Sequence, residues 1–326
     1  MILDTYVFTG CFSADIQGLI EHKKQSGYIY DSAKYILVQF DRFCIENNIH
    51  TTVITKELSD LWQSYHANES KSRRASRMSV LRQLSQYINE QGKECYIPSK
   101  FSAKSYRLPY VMNDSEIREF FMATDNYVPK INGLRFQILA EEYKVLFRFI
   151  YCCGLRVSEA RKLKIENIDF AKNTAIILRS KGDKDRLIYI ADDVCDMCQD
   201  MINVLRSKYH FYSEYLFPSS NPNVPLQVSS INKKFQEFWK KTSGASDSRY
   251  PTVHSLRYSF VVKRMNLWME NGENLTAMMP YLSKYLGHES VENTYYYYHQ
   301  IESAFKIVRQ KDFLSDSIIP EVLYEE

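Results

Sequence analysis

Four consecutive tyrosines near the carboxyl end of the chain are the residues whose type and spacing most directly suggest chemistry. They fall in the stretch from Leu286 to His299, which reads LGHESVENTYYYYH. A buried core does not require four phenol hydroxyls in a row, because each buried hydroxyl needs its own hydrogen-bond partner. One of them is therefore a candidate nucleophile. A tyrosine in water has a pKa of about 10, so attack at neutral pH requires nearby cations or a base.

Side chains that could supply this help occur earlier in the chain and close to the tyrosines, at Arg156, Lys181, His254, Arg257 and His288. If the target is a phosphodiester, negative charge gathers on its non-bridging oxygens and must be neutralised by a metal or by fixed cations. The sequence has no cluster of Asp, Glu and His with metal-ligand spacing. Two arginines can replace a metal, because each guanidinium fits two phosphate oxygens. We therefore expect no metal and no cofactor, with a lysine as general acid for the leaving oxygen.

Each of these residues also has a purely structural interpretation. Arg156 and Glu159 are three residues apart and could form an ion pair on a helix surface, and His254 and Arg257 have the same spacing. Lys181 could be a solvated turn residue. Taken singly, these interpretations are at least as good as the chemical one. The occurrence of all the groups in one chain, in this order, favours a reaction site.

Helices dominate the elements that must position these groups. Apolar residues at helical spacing predict four amphipathic helices in the first hundred residues, at 14–26, 31–48, 55–66 and 70–91, with Thr55 and Ser70 as N-caps. A further helix is predicted to begin at Asn113, with Glu116 completing a capping box. Later helices are predicted at 133–152, which Gly154 ends, and at 156–164, 192–207, 228–242, 253–270, 274–285, 290–298 and 301–313.

The one clear β segment consists of two strand-like runs, 174–178 and 186–190, joined by a hairpin turn at 180–185. The expected fold class is therefore mainly α with a small β-hairpin or sheet, which makes the second domain α+β. Residues 93–110 mix lysine and arginine with proline and serine, as is typical of an extended basic linker. We expect a helical domain at 1–107 and a larger domain at 108–326.

A basic segment runs through the end of the first domain and the linker. From Lys71 to Arg107 there are nine Lys and Arg against two Glu. Cations among small polar residues at a helix start can hold phosphates through side chains and backbone N–H groups. The candidate contacts to a polyanion are Lys71, Arg73, Arg74, Arg77, Lys100 and Lys104. The alternative is a solvated helix face with no ligand.

The composition is that of a globular protein, with 45% hydrophobic and 25% charged residues and a net charge of +3. No apolar run has the length of a membrane span, and the amino terminus lacks the pattern of a secretory signal. We expect a protein that stays inside the cell, with no membrane partner. The seven cysteines show no disulfide spacing, and Cys195 and Cys198 lack the second pair that a zinc site requires.

Four motifs in this order resemble those of the tyrosine recombinase (phage integrase) family. They are Gly154-Leu-Arg-Val-Ser-Glu159, Ser180-Lys-Gly-Asp-Lys-Asp-Arg186, Thr252-Val-His-Ser-Leu-Arg257, and Leu286-Gly-His288 followed by Tyr297-Tyr-His299. The resemblance covers the chain from about Asn113 onward. The helices and linker before it are similar to the family's core-binding domain in general character only. Tyr258 stands where the family often has histidine, and Val253 where it often has proline.

The resemblance implies a role for each matched residue. Arg156 and Arg257 would clamp the scissile phosphate, and Lys181 would protonate the leaving 5′ oxygen. His254 and His288 would hydrogen-bond phosphate oxygens and assist proton transfer, while Glu159 would orient a cationic neighbour. Tyr297 would attack and form a 3′-phosphotyrosine bond, because the family's nucleophile lies nine residues after the closing-motif histidine and two before another histidine. Tyr296 and Tyr298 remain alternatives.

The function implied is site-specific recombination of double-stranded DNA by a protein that is largely monomeric when free and a homotetramer on DNA. Such a protein would serve as the integrase or transposase of a mobile element, and the resemblance implies a bacterial protein of the cytoplasm that is associated with the nucleoid. One alternative is a type IB topoisomerase, which relaxes DNA as a monomer with similar chemistry. Another is a DNA-binding module without activity. In the family, the chain end often docks on a neighbouring protomer, so we expect the apolar residues of the predicted helix 301–313 to bridge protomers. The alternative is that this predicted helix packs against its own domain.

Overall fold

The structure is a computed structural model that describes residues 6–28, 30–66, 68–100, 109–178, 185–246 and 250–298 of the 326-residue chain. The chain divides into two compact units, residues 1–107 and 108–326. The described residues of each unit enclose a hydrophobic core of their own. Among the described helices, none combines the length and the apolar character needed to cross a lipid bilayer.

The first unit is built from four helices, α1 (Ser13–Gln25), α2 (Asp31–Glu46), α3 (Lys56–Ser64) and α4 (Lys71–Glu90). The two predicted N-caps are confirmed. The hydroxyl of Thr55 accepts a hydrogen bond from the Leu58 N–H at 3.2 Å, and that of Ser70 accepts one from the Arg73 N–H at 3.2 Å. The apolar faces of the helices meet around Trp62, which is completely buried. All four helices end within two residues of their predicted bounds.

The described part of the second unit contains eight α-helices: α5 (Asp114–Asp125), α6 (Leu134–Cys152), α7 (Val157–Lys162), α8 (Asp192–Ser207), α9 (Val228–Trp239), α10 (Val253–Glu270), α11 (Leu275–Leu286) and α12 (Glu292–Tyr298). Helix α6 is central, since it packs against α5, α7, α8 and α10. Its residues Leu146, Phe147 and Phe149 are completely buried. The predicted capping box of α5 is confirmed, with Asn113 and Glu116 each accepting a hydrogen bond from the other's backbone N–H at 2.9 Å.

The sheet of the second unit has three antiparallel strands in the order β1-β2-β3, which are β1 (Ile168–Asp169), β2 (Thr174–Ile177) and β3 (Arg186–Tyr189). Strands β2 and β3 are the predicted hairpin, in a register that sets Ile177 opposite Arg186. Strand β1 was not predicted, because two residues are too few to show an alternating pattern. The predicted turn at 180–185 lies outside the described residues, apart from Asp185.

In the second unit, α7, α9 and α12 differ from their predicted bounds by two residues or more at one end, and α7 ends at Lys162 rather than at 164. Helix α9 stops at Trp239 rather than at 242, because the chain turns there, and the Thr242 hydroxyl donates to the Trp239 carbonyl at 2.8 Å. Helix α12 begins at Glu292, two residues after its predicted start. The predicted helix at 301–313 lies outside the described residues. The buried thiols of Cys195 and Cys198 belong to the core of the second unit, which accounts for their spacing along α8.

Candidate active site

Gly154 turns the chain sharply out of α6 toward the first predicted arginine. Its φ of +59° lies in the left-handed region, which favours glycine. A Cβ at this position would also lie 2.5 Å from Cδ1 of Phe260, so there is no room for a methyl group. The turn puts Arg156 at the N-cap of α7 and leaves the Gly154 carbonyl accepting a hydrogen bond from Arg257.

Arg156 is held in place at both ends. Its backbone N–H donates to Oε2 of Glu159 at 2.8 Å, and its Nη1 donates to Oε1 of the same carboxylate at 2.8 Å. Its Nη2 donates to the carbonyl of Gly287 at 3.1 Å, which ties α7 to the end of α11. The side chain remains about one-fifth exposed, so the guanidinium can still reach a ligand from solvent.

Glu159 is the buried carboxylate around which the cations gather. Arg186 forms a bidentate pair with it, with Nη1 donating to Oε1 at 3.0 Å and Nη2 to Oε2 at 2.9 Å. Arg257 Nη1 lies 3.7 Å from Oε2. Burial alone would raise the pKa of Glu159, but hydrogen bonds and charge from Arg186, together with Arg156, outweigh it and lower the pKa to about 2. The carboxylate is therefore ionised throughout the physiological range.

Arg257 is completely buried in α10. Its Nη1 donates to the Gly154 carbonyl at 2.8 Å, and its Nη2 donates to the Leu286 carbonyl at 2.8 Å. The same Nη2 lies 2.9 Å from Nε2 of His288. Three segments that are far apart in sequence, after α6, in α10 and after α11, thus converge on one guanidinium.

The turn after α11 brings His288 to this guanidinium. Gly287 caps the helix with a φ of +64°, and a Cβ there would lie 3.0 Å from Nη1 of Arg186. The backbone N–H of His288 then bonds the Ser283 carbonyl at 3.0 Å, which fixes the turn. His254 lies one helical turn before Arg257 in α10, and its ring meets the ring of Tyr258 edge to face, with the centroids 4.5 Å apart.

The two imidazoles are poor proton carriers in the free protein. Burial, followed by the charges of Arg257 and Arg156, lowers the pKa of His254 to about 4 and that of His288 to about 3. Both rings are therefore neutral at pH 7 in the absence of an anion. A bound phosphate would offset the arginine charges and make it easier for either ring to take up a proton.

Five of the seven predicted reacting residues are thus brought together by the described residues, namely Arg156, Glu159, His254, Arg257 and His288. Lys181 lies outside the described residues. The backbone of Tyr297 is part of α12, whereas its side chain and those of its neighbours Tyr296 and Tyr298 are outside the described part. Among the described residues, no group of three or more His, Cys, Asp and Glu is arranged to hold a metal ion.

Arg186 is a site residue to which the sequence analysis gave no role. In addition to its pair with Glu159, its Nε donates to the Tyr285 carbonyl at 2.8 Å, and its side chain is almost completely buried. It is the first residue of β3, so it joins the sheet to α7 and α11 through charged hydrogen bonds. The sequence did contain a sign of its importance, because Arg186 directly follows a hairpin that holds two other cations, Lys181 and Lys184. No local rule, however, indicates its distant partner.

The predicted polyanion contacts differ in exposure, and Arg77 requires a correction. Its guanidinium is buried over the Trp62 ring, with Nη2 2.8 Å from Oε2 of Glu69 and further hydrogen bonds to the carbonyls of Trp62 and Gln63. All of this donor capacity is used inside the unit, so Arg77 supports the fold and is withdrawn from the predicted contacts. Of the others, Lys71, Arg73 and Lys100 are exposed, Arg74 is half-buried and Lys104 lies outside the described residues.

The geometry of this cluster suits it to bind an anion with two non-bridging oxygens. Arg156 and Arg257 are fixed donors that keep their charge at any physiological pH. They are held by backbone carbonyls and by Glu159, so they need not reorganise when a charged transition state forms. An acceptor nitrogen of His288 lies beside them. This combination of fixed cations and neutral imidazoles can stabilise a phosphoryl group under attack.

Comparison with known proteins agrees with this geometry. Residues 111–303 match the model of the phage integrase family. The chain is 27% identical over 296 residues to y4rB of Sinorhizobium fredii, which is named provisionally as an integrase/recombinase, and the match covers 88% of this chain and 92% of that protein. It is 26% identical over 293 residues to tyrosine recombinase XerC of Chlamydia caviae, covering 88% of this chain and 86% of XerC.

The fold has a counterpart among solved structures. The integrase of transposon Tn1549, solved in complex with a circular intermediate DNA, superposes with a TM-score of 0.62 at 14% sequence identity. The superposition covers 91% of this chain and 99% of that one. At this identity the likeness concerns the fold alone.

Proposed function

The chain belongs to the phage integrase family of tyrosine recombinases, which act on DNA in site-specific recombination, and from this premise we propose that it is itself an active recombinase of double-stranded DNA. It cleaves and rejoins strands through a 3′-phosphotyrosine intermediate. The observation that carries the proposal is the convergence of Arg156, Glu159, Arg257 and His288 on one site that adjoins the start of α12.

The arginines bind the scissile phosphate. When the tyrosine oxygen attacks phosphorus, negative charge grows on the two non-bridging oxygens, and Arg156 and Arg257 offer N–H groups that face that charge. Glu159 and the Gly287 carbonyl hold the guanidinium of Arg156, and the carbonyls of Gly154 and Leu286 hold that of Arg257. Because their positions are fixed before the substrate arrives, little energy is spent on reorganisation during the reaction.

Proton transfers accompany two bond changes. The tyrosine oxygen forms a bond to phosphorus, the bond from phosphorus to the 5′ oxygen breaks, and the leaving oxygen takes a proton from Lys181. The phenol proton passes to a neutral imidazole, for which His288 and His254 are the candidates. The phosphodiester energy is kept in the phosphotyrosine, so a 5′ hydroxyl of another strand can reverse the step without ATP.

Tyr297 is proposed as the nucleophile. It lies nine residues after His288, the spacing that the family resemblance implies. The same spacing disfavours Tyr296 and Tyr298, which remain the alternatives.

The assembly and biological role are proposed on the same basis. Exchange between two duplexes requires four strand cleavages, and each protomer has one nucleophile, which supports a homotetramer on DNA. We propose that the free protein is largely monomeric and that it serves as the integrase or transposase of a mobile element. The name integrase/recombinase that y4rB carries is compatible with this role. Lys71, Arg73, Arg74, Lys100 and Lys104 would contact DNA phosphates.

A suicide substrate tests the proposal. Sites would be selected from a random duplex pool by binding to the protein, and a nick placed beside the cleavage position would trap the covalent complex. Wild type and the matched variants Tyr296→Phe and Tyr298→Phe are expected to form the adduct, whereas Tyr297→Phe should bind the same DNA and form none. An adduct with Tyr297→Phe would refute the assignment. Relaxation of supercoiled DNA without pairing of two sites would instead indicate a topoisomerase.

A further inference from the structure

Thr294 is a polar residue at a completely buried position in α12. Its Oγ1 lies 2.7 Å from Nδ1 of His288. Buried hydroxyls almost always have a hydrogen-bond partner, so a contact is expected somewhere. The partner here is an imidazole of the candidate site, and Thr294 lies one helical turn before Tyr297. The contact therefore connects the site to α12, in addition to satisfying a buried hydroxyl.

The contacts of His288 determine which of its nitrogens carries the proton. Nε2 lies 2.9 Å from Nη2 of Arg257, and a guanidinium can only donate hydrogen bonds. Nε2 must therefore be the acceptor. The ring is neutral at pH 7, since burial and the neighbouring arginines lower the pKa of His288 to about 3. The single ring proton is then on Nδ1, and this N–H donates to Thr294 Oγ1.

The backbone on either side of this hydrogen bond has supports of its own. The turn that carries His288 is held by the bond from its N–H to the Ser283 carbonyl at 3.0 Å, and the Ser283 hydroxyl donates to the Ser290 carbonyl at 3.2 Å. Helix α12 is anchored by the partly buried Tyr295. Loss of the Thr294 hydroxyl would therefore remove this hydrogen bond from the imidazole ring while the turn and the helix keep their places.

We propose that Thr294 is a positioning residue, whose hydroxyl oxygen accepts the hydrogen bond from His288 Nδ1–H and ties that ring to the helix that carries Tyr297. Its effect on catalysis rests on the proposed function. The hydrogen bond itself is a property of the free protein and can be tested without DNA. When the Thr294 hydroxyl is removed, Arg257 still requires Nε2 to be the acceptor, so the tautomer is kept, but the hydrogen bond that ties the ring to α12 through Oγ1 is lost.

The first measurement is nitrogen-15 NMR of the free, full-length protein labelled on its histidine rings, with His288→Gln to assign the signals. Wild type and Thr294→Ser, which keeps the hydroxyl, should show His288 protonated on Nδ1 and not on Nε2. Thr294→Val has nearly the same volume but no acceptor, so it should keep this tautomer but shift the Nδ1 resonance, because that N–H loses its hydrogen bond to the Thr294 oxygen. A Thr294→Val spectrum identical to that of wild type would overturn the proposal. Thermal unfolding of each variant checks that the fold is kept.

The second measurement is the rate of covalent complex formation on the nicked site. Thr294→Val should be slower than wild type by about 10-fold or more, the usual consequence of removing one partner of a buried hydrogen bond, with DNA binding changed by less than about twofold. Thr294→Ser should restore most of the rate. Equal rates for wild type and Thr294→Val would refute the positioning role. If wild type forms no adduct on any selected site, the proposed function fails, and the NMR result still decides the tautomer.

Discussion

Glu159 lies among the guanidinium groups of Arg156, Arg186 and Arg257, and the three depend on it to different degrees. Arg156 and Arg186 donate directly to the carboxylate, whereas Arg257 has carbonyl partners and only approaches it. Removal of a partner from a buried ion cluster leaves charge without compensation, which is costly. At the residue scale, Glu159 therefore contributes both to stability and to the orientation of the phosphate-binding groups.

Glu159→Gln tests this contribution. The folded-state pKa of Glu159 is depressed from 4.5 to about 2, so its stabilisation is fully present above the unfolded pKa and is lost as pH falls through the folded pKa. A depression of this size corresponds to about 3 kcal/mol. We expect a cost of that order at pH 7, and a cost smaller by about 1 kcal/mol at pH 4. Urea unfolding at both pH values measures it.

The matched control is Glu166→Gln, which removes an exposed carboxylate that pairs with Lys164. Exposed ion pairs contribute little to stability, so the free energy of unfolding of this variant should lie within about 1 kcal/mol of that of wild type. If Glu159→Gln lowers the free energy of unfolding by equally little, or if the loss does not depend on pH, the carboxylate does not organise the arginines in the manner described.

Helix α4 shows how one element divides its cations between two tasks. Arg73, Arg74 and Arg77 fall within a single turn of the sequence, yet Arg73 is exposed while Arg77 is buried against Trp62 and Glu69. The buried arginine fixes α4 to α3 and to the loop before it. The exposed cations, preceded by Lys71 at the helix start, are available to a polyanion.

A salt titration tests the exposed side of α4. DNA affinity falls with salt with a log–log slope of about −0.9 per phosphate neutralised. The triple variant Lys71→Ala, Arg73→Ala, Arg74→Ala should flatten the slope by about 1 to 3, measured by fluorescence anisotropy from low to moderate salt. Lys24→Ala, which removes an exposed cation from α1, is the control and should leave the slope unchanged. An unchanged slope in the triple variant would mean that this side of α4 faces solvent.

At the scale of the whole molecule, the two units have separate cores. The proposed recombination requires that protomers recognise one another. The apolar residues of 301–313, including Ile301, Phe305 and Phe313, need a surface to bury against, and we propose that a neighbouring protomer provides it.

Deletion of residues 301–326 tests this assignment. Binding to a single site should be nearly unchanged, because the phosphate-binding groups all precede the deletion. Pairing of two sites and strand exchange should be abolished. Light scattering of the truncated protein with its site measures the assembly, with the full-length chain as reference. A tetramer of normal stability without these residues would refute the bridging role, and a loss of single-site binding would point to packing on the protomer's own domain.

The sequence by itself determined the elements and the kinds of reacting groups. The N-caps at Thr55, Ser70 and Asn113 involve residues three positions apart, and the apolar residues of each helix repeat within one or two turns. Both patterns are local, so they can be recognised in a short stretch of sequence. The motifs around Arg156 and Arg257 could be recognised for the same reason. Strand β1 was missed because two residues are too few to show an alternating pattern, and the end of α9 was missed because the chain turns at Trp239.

Only the tertiary structure decided how the charged groups pair and which of them are buried. Arg186 and Glu159 are 27 residues apart, and Arg257 and His288 are 31 apart, so nothing local connects them. Arg77 could not be distinguished from Arg73 by residue type, although one is an internal support and the other is exposed. The protonated nitrogen of His288 follows from two distant contacts. Burial and pairing of charges are properties of packing, and packing joins segments that the sequence holds apart.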